Sequence, residues 1–339
     1  MPTYVRVEDG FRMKRITVLQ SGGGWTTNIG NAFIDLGSMA CLNQAALKAD
    51  IKANVHITST FGRWIFSYMS RGIKRYISKR PGETKNVFDL SSYAEIDYVV
   101  QWGAFLSRHW FQLYGEILSK LSKKGIKIII NGGGIGENAY SEEEIEKTRE
   151  CLMKLNPYVF ISRDRITFDS FKDLAEHSYN GIDCAFWVSD AYIPLKLDMP
   201  EYIVLNFDKQ PEPEGLSADK SRLIVRTHHA TWHNFPFSKY FIMKKSYYDR
   251  RNTLISELPY DYLNLYANAS VIYSDRVHAC VAALSYGNSA RLFGSPSRAV
   301  LFEKIGAPEI ALKTTRSNLD KIEREKQKHV DFLAEILAK

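Results

Sequence analysis

One arrangement recurs along the chain: a short β-branched run, a glycine-bearing stop, then a stretch with helical apolar spacing. Residues 15–20 lead into Ser21-Gly22-Gly23-Gly24 and a helix-like stretch over 28–47. Residues 96–101 end near Gly103, and 127–130 stop at Asn131-Gly132-Gly133-Gly134. Residues 158–162 precede a helix-like segment over 167–176. Short, apolar, β-branched runs alternating with helices indicate a parallel sheet covered on both faces. After Pro- and acid-rich loops at 190–200 and 210–215, a second series begins. It has strands at 202–206, 222–226, 269–273 and 290–293, and helices at 247–256 and 276–286. Gly287 is a suitable C′ residue for the second of these helices. A terminal helix spans 319–337. The expected fold is α/β: two Rossmann-like parallel-sheet domains facing a cleft, residues 1–195 and 196–339, with the terminal helix able to pack back on the N-terminal domain.

At 339 residues, with 45% hydrophobic and 24% charged residues, the chain can build cores for two such domains. Its net charge of +7 favours anionic partners: phosphorylated metabolites, an acidic membrane surface or nucleic acid. The absence of a lysine–arginine block argues against nucleic acid. Cys41, Cys151, Cys184 and Cys280 are widely spaced and form no CxxC pair, as in reduced cytoplasmic proteins. No apolar run has signal-sequence or membrane-spanning character. A soluble cytoplasmic protein is expected, with oligomeric state left open.

In open parallel sheets, ligands bind beyond the C-terminal ends of the strands. Gly22, Gly23 and the following Asn28 fall there, as do Gly133 and Gly134. Glycine lets backbone amides approach an anion, but the same loops serve as tight strand-to-helix turns, and both readings stand. Neither loop has the spacing of a GxGxxG or P-loop motif. In Ser162-Arg163-Asp164 the guanidinium suits a carboxylate or phosphate, or a structural ion pair. Ser274-Asp275-Arg276-Val277-His278 ends a strand and opens a helix, with Ser274 or Asp275 able to cap. Arg276 and the helix start would hold an anion, and His278 would move a proton near neutral pH; a capped helix with a packed histidine is the alternative. His228, His229 and His233 lack the spacing of a zinc site and suit a crevice-lining loop. Residues 61–80 interleave aromatic and basic residues, fitting either a solvated amphipathic helix or a peripheral membrane contact.

The order of these segments resembles the polysaccharide pyruvyl transferase family. Asn28-Ile29-Gly30-Asn31 is similar to the family's Asn-x-Gly-Asp, and Ile182-Asp183-Cys184-Ala185-Phe186 to its Asp-Pro-Ala-Phe. Ser274-Asp275-Arg276-Val277-His278-Ala279 resembles its Ser-x-Arg-Leu-His-Ala helix. Asn31, Cys184 and Asn288-Ser289 depart from the usual residues. The resemblance implies a GT-B-like fold and a ketal-forming transferase of cell-surface or exopolysaccharide biosynthesis. Phosphoenolpyruvate would be the donor, a saccharide the acceptor (lipid-linked or not), and no cofactor or metal would be needed. Carried over, Arg163, Arg276 and Val277 bind the donor and His278 is the general acid. Gly22, Gly23, Asn28, Gly133, Gly134 and His228 are candidate substrate-loop residues. Two other readings fit the same architecture: a nucleotide-sugar glycosyltransferase, and a non-catalytic saccharide- or anion-binding protein.

Overall fold

A computed structural model describes residues 4–6, 12–23, 25, 28–58, 93–136, 140–216, 222–229, 249–294 and 296–339. The chain forms two compact units. The first comprises Met1–Gly22, Ser38–Cys184 and Lys326–Lys339; the second comprises Gly23–Gly37 and Ala185–Glu325. The division between Cys184 and Ala185 precedes the loop at 190–200. Two helices pass from one unit to the other, α1 (Ile29–Lys48) and the terminal α9 (Leu319–Leu337). Among the described residues no helix is long and apolar enough to cross a membrane. The basic aromatic segment at 61–80 and His233 lie outside the described residues.

The first unit is built on strands β1 (Tyr4–Arg6), β2 (Arg12–Ser21), β3 (Ile51–Thr58), β4 (Tyr98–Leu106), β5 (Lys127–Ile135), β6 (Val159–Ser162) and β7 (His177–Asn180). Their order is β3-β2-β4-β5-β6-β7, all parallel, with β1 adding antiparallel to the start of β2. The chain therefore moves from β2 to β3 on one side and returns to β4 on the other. This reversal opens a crevice at the β2/β4 ends. Helices α2 (Arg108–Lys123), α3 (Glu142–Leu155) and α4 (Arg165–Phe171) cross between strands. Trp110, Phe111, Leu118, Leu121 and Leu152 from α2 and α3 pack with Val99, Ile128, Ile130 and Phe160 of the sheet. Removing each such side chain from water contributes about 1.5–3 kcal/mol.

Two sequence expectations change here. Residues 132–134 do not form a loop: β5 continues to Ile135, with its register against β6 shifted between Asn131 and Gly133. Gly133 pairs with Gly103 of β4 and with Ser162 of β6, so the strand runs through the glycines. The helix expected over 167–176 starts at Arg165, ends at Phe171 and gives way to one 3-10 turn at Lys172–Leu174.

The second unit has strands β8 (Tyr202–Asn206), β9 (Leu223–Thr227), β10 (Thr253–Leu254), β11 (Val271–Ser274), β12 (Ser289–Leu292) and β13 (Thr315–Arg316), in the order β10-β9-β8-β11-β12-β13. All pairs are parallel except β12–β13. The order reverses between β8 and β11, so the ligand crevice of this sheet lies at the ends of those two strands. Of its helices, α5 (Val188–Ala191), α6 (Pro259–Asn268), α7 (Val277–Ser285) and α8 (Pro296–Ala299), α7 is apolar nearly all round and buried from Ala279 to Ser285. Its alanines let it lie close on β11 and β12. The helix expected at 247–256 is replaced where described: Thr253–Leu254 is strand β10, and the helix begins at Pro259, a favoured first helical position.

Candidate active site

At the reversal point of the second sheet, the end of β8 and the end of β11 are joined by two buried aspartates. Asp275 follows β11 and turns its carboxylate onto the backbone N–H groups of Asp208, Lys209 and Gln210, at 2.7 to 3.1 Å. It does not cap α7, contrary to the sequence expectation. Ser274 does not cap the helix either; its Oγ accepts from the N–H of Arg276 (2.8 Å) and donates to Asn206 Oδ1 (2.8 Å). Arg276 itself is the residue before the first helical turn, and no side chain caps that turn. An uncapped helix start directs first-turn amides and the positive dipole end outward, which favours an anion.

Asp208, two residues past β8, is the centre of the cluster. Its Oδ1 lies 3.0 Å from His228 Nδ1. Its Oδ2 accepts from the His229 backbone N–H (3.0 Å) and from Arg276 Nε (2.8 Å). Burial alone would raise the Asp208 pKa, but the His228 hydrogen bond and the Arg276 charge outweigh it and hold the group at about 2. An ionised carboxylate only accepts, so His228 Nδ1 is the donor of this hydrogen bond. Among the described residues no hydrogen-bond partner engages the two Nη groups of Arg276. Lys209, next in sequence, has its pKa lowered by burial and by the Arg276 charge. Two cations that oppose each other beside an uncapped helix suit a multiply charged anion.

His229 is fully buried. Its Nε2 lies 2.8 Å from the Tyr266 hydroxyl, which lies 2.9 Å from Thr227 Oγ1. Burial pushes its pKa down to about 3; Asp208 partly opposes this, and the charges of Arg276 and His278 reinforce it. The ring is therefore neutral and serves packing, edge-on to Phe33 of α1 with centroids 5.5 Å apart. Its carbonyl accepts from the Ile29 N–H (3.0 Å), which ties the start of α1 to the same place. Asn28 caps that helix start, accepting from the Gly30 N–H at 3.2 Å. Gly30 lies directly against His278, where a Cβ would stand 2.9 Å from the imidazole Nδ1.

The second unit thus brings together Asn28, His228, Arg276, Val277 and His278 of the sequence-predicted residues. Gly23 is close in sequence, its N–H donating to buried Asp35 (3.1 Å), which also receives the Trp25 indole N–H (2.6 Å). Asp208 escaped the sequence reading, and Asp275 entered it only as a possible helix cap. The available signal was position: a carboxylate just beyond a buried strand end belongs in the crevice.

The remaining predicted residues belong to the first unit. Gly22 donates its N–H to Thr58 at the end of β3 (2.7 Å). Arg163, just past β6, does not pair with its neighbour Asp164. Its Nη1 donates to buried Asp183 (2.9 Å), the acid of the Asp-Cys-Ala-Phe segment. Asp164 caps α4 through the Thr167 N–H (2.8 Å) and hydroxyl (2.9 Å). Gly134 lies flat under the Arg163 side chain, where a Cβ would come within 2.3 Å of Nε. The Gly133 carbonyl accepts from the Arg163 N–H (3.0 Å). Among the described residues no hydrogen-bond partner meets Arg163 Nε.

Among curated proteins none matches the sequence. Among solved structures, a UDP-N-acetylglucosamine 2-epimerase is similar in fold, with 13% identity, a TM-score of 0.50, and 96% of this chain and 94% of that one covered. The Rickettsia bellii UDP-N-acetylglucosamine 2-epimerase matches at 12% identity and TM-score 0.49, over 95% of each chain. An uncharacterised Klebsiella pneumoniae protein matches at 16% identity and TM-score 0.42, over 85% of this chain and 87% of that one. The two parallel-sheet α/β units are GT-B-like. The family model for polysaccharide pyruvyl transferases matches residues 28–293, which span α1 with its Asn28 cap, Arg163 and the whole Asp208–Arg276–His278 cluster, and the chain belongs to that family.

Proposed function

We propose that the protein transfers pyruvate from phosphoenolpyruvate to a saccharide as a cyclic ketal, releasing phosphate. The observation that supports this most is Arg276: its Nε is held by Asp208, its Nη groups have no hydrogen-bond partner among the described residues, and it stands at the uncapped start of α7 beside His278. Phosphoenolpyruvate presents a carboxylate and a phosphate, and a planar guanidinium binds either through two parallel hydrogen bonds. Val277, the first helical residue, adds its backbone to the anion site. Arg163 is assigned the same class of ligand in the first unit.

The chemistry follows from the enol ester. His278, protonated, gives its proton to the methylene carbon, and C2 becomes electron-poor. An acceptor hydroxyl adds to C2 and loses its proton. The phosphate then leaves with the C–O bonding pair, stabilised by the surrounding positive charge, and a second hydroxyl of the same saccharide closes the ketal. The two hydroxyl protons end on His278 and on phosphate, so the imidazolium is regenerated. Asn28, Gly22, Gly23 and His228, with Gly133 and Gly134 near the end of β5, are assigned to contact the substrate. The acceptor would be a saccharide precursor of a cell-surface polymer, met in the cytoplasm or at the membrane face.

The test incubates the protein with phosphoenolpyruvate and a panel of saccharides, following phosphate release and product mass. Acceptor-dependent phosphate release with a pyruvyl ketal adduct is expected. Binding without product would favour a saccharide- or anion-binding protein. Thermal stabilisation by nucleotide sugars but not by phosphoenolpyruvate would replace the donor, because a ligand of the folded state raises the midpoint.

A further inference from the structure

Among its described residues the second unit contains two arginine–carboxylate clusters of opposite design. Glu212 accepts from Arg226 through both Nε and Nη2 (2.9 Å each) and from Arg250 Nη1 (2.7 Å). That carboxylate occupies the side-on edge of Arg226 completely. Asp208 takes only the Nε of Arg276, leaving its end-on pair of Nη groups for another acceptor. Asp208 also accepts from the His229 N–H and meets His228 Nδ1. One carboxylate therefore fixes the two ends of the crevice, the loop after β9 and the start of α7, against the end of β8. Asp208 is itself held from behind, because its own N–H donates to Asp275.

We infer that Asp208 is a positioning residue: it sets the direction of the Arg276 fork and the orientation of the His228 ring, and so determines how tightly the anionic donor is bound. The inference rests on the donor reading given above. A second feature points the same way. Arg276, Lys209 and His278 bring cationic or protonatable groups to one place, and the ionised Asp208 faces them with His228 and His229. A carboxylate at that point lets Arg276 stay in one rotamer before the donor arrives, so less ordering is needed on binding. Asp208 touches no reacting atom in this scheme; it acts through Arg276 and His228.

The test is a double-substitution cycle on the full chain, read by calorimetric titration with phosphoenolpyruvate and, separately, with inorganic phosphate. Asp208→Asn and Arg276→Lys should each weaken phosphoenolpyruvate binding about tenfold or more, as expected for a displaced or lost charge-assisted contact. The double variant should lose no more than the worse single one, since both changes remove the same interaction. A folded Asp208→Asn protein with wild-type affinity overturns the inference, and so do losses that multiply. If Asp208→Asn does not fold, Asp208→Glu takes its place. It keeps the charge and moves it by one methylene, and wild-type affinity there would equally defeat the role. Wild-type protein that binds inorganic phosphate but not phosphoenolpyruvate defeats the donor assignment alone, and the cycle is then read with phosphate. Binding of neither overturns both.

Discussion

Gly30 and His278 are packed so closely that position 30 has no room for a side chain. A Cβ there would stand 2.9 Å from the imidazole Nδ1 and 3.0 Å from the histidine Cβ, and Asn28 Oδ1 would be 3.2 Å away. The start of α1 is thus the wall against which the His278 ring rests.

Gly30→Ala should therefore move the imidazole while leaving Arg276 in place. A displacement of an ångström at a reacting group costs about 100-fold in rate. The expected result is a kcat reduced by one to two orders of magnitude (roughly 10- to 100-fold), with the KM for phosphoenolpyruvate little changed. Steady-state phosphate release measures both, and a wild-type kcat would show that His278 has another place to go.

His278→Ala should separate binding from chemistry. Arg276 and the start of α7 remain, so calorimetric affinity for phosphoenolpyruvate is expected to stay near wild type. Loss of a general acid lowers turnover by about 100- to 10,000-fold. If turnover persists in the purified variant, another group protonates the methylene carbon.

Gly134→Ala tests the first unit. The new Cβ would come within 2.3 Å of Arg163 Nε, so the guanidinium must leave its place beside Asp183. Asp183 is fully buried and Arg163 only 13% exposed in its side chain, which makes their pairing a buried one. Breaking such a pair costs about 3–5 kcal/mol. Gly134→Ala should show a clear fall in the denaturation midpoint together with a raised KM for the donor. A midpoint at the wild-type value would mean that the guanidinium moves aside without loss.

Much of the fold was legible because buried parallel strands are written as short β-branched runs: Ile128, Ile129 and Ile130, or Ile203 and Val204, have no other reasonable use. Strand β3 was missed because Ile51–Thr58 is an edge strand, with Lys52 and His56 exposed and Ala53 to Val55 only partly buried. The start of α6 could have been found from Pro259, since proline favours the first helical turn. The residues of the helix start, Arg276 and His278, were visible because they are adjacent in sequence. Asp208 was not, because its partner Arg276 is 68 residues away. Only the sheet order, with β8 beside β11, brings the two together.

His229 provides the last prediction, a pH dependence of stability. Its pKa is about 3 in the folded protein against 6.5 for the ordinary side chain, because burial disfavours the charged ring. Between those values the unfolded chain carries a proton that the folded chain refuses. Stability from this group is complete above the unfolded value and is lost as pH falls toward 3, with a slope of up to about 1.4 kcal/mol per pH unit. Asp208 acts in the same direction but lower: its depressed pKa of about 2 stabilises the fold above the ordinary carboxylate value and is lost only as pH falls through about 2. The window from pH 6 down to 4 therefore belongs to His229 and not to Asp208. His229→Gln removes the titrating ring while an amide can still meet the Tyr266 hydroxyl. Urea denaturation at several pH values across that window should show the wild type losing stability faster than the variant on acidification. Parallel curves for the two proteins would mean that the ring is protonated in the folded state.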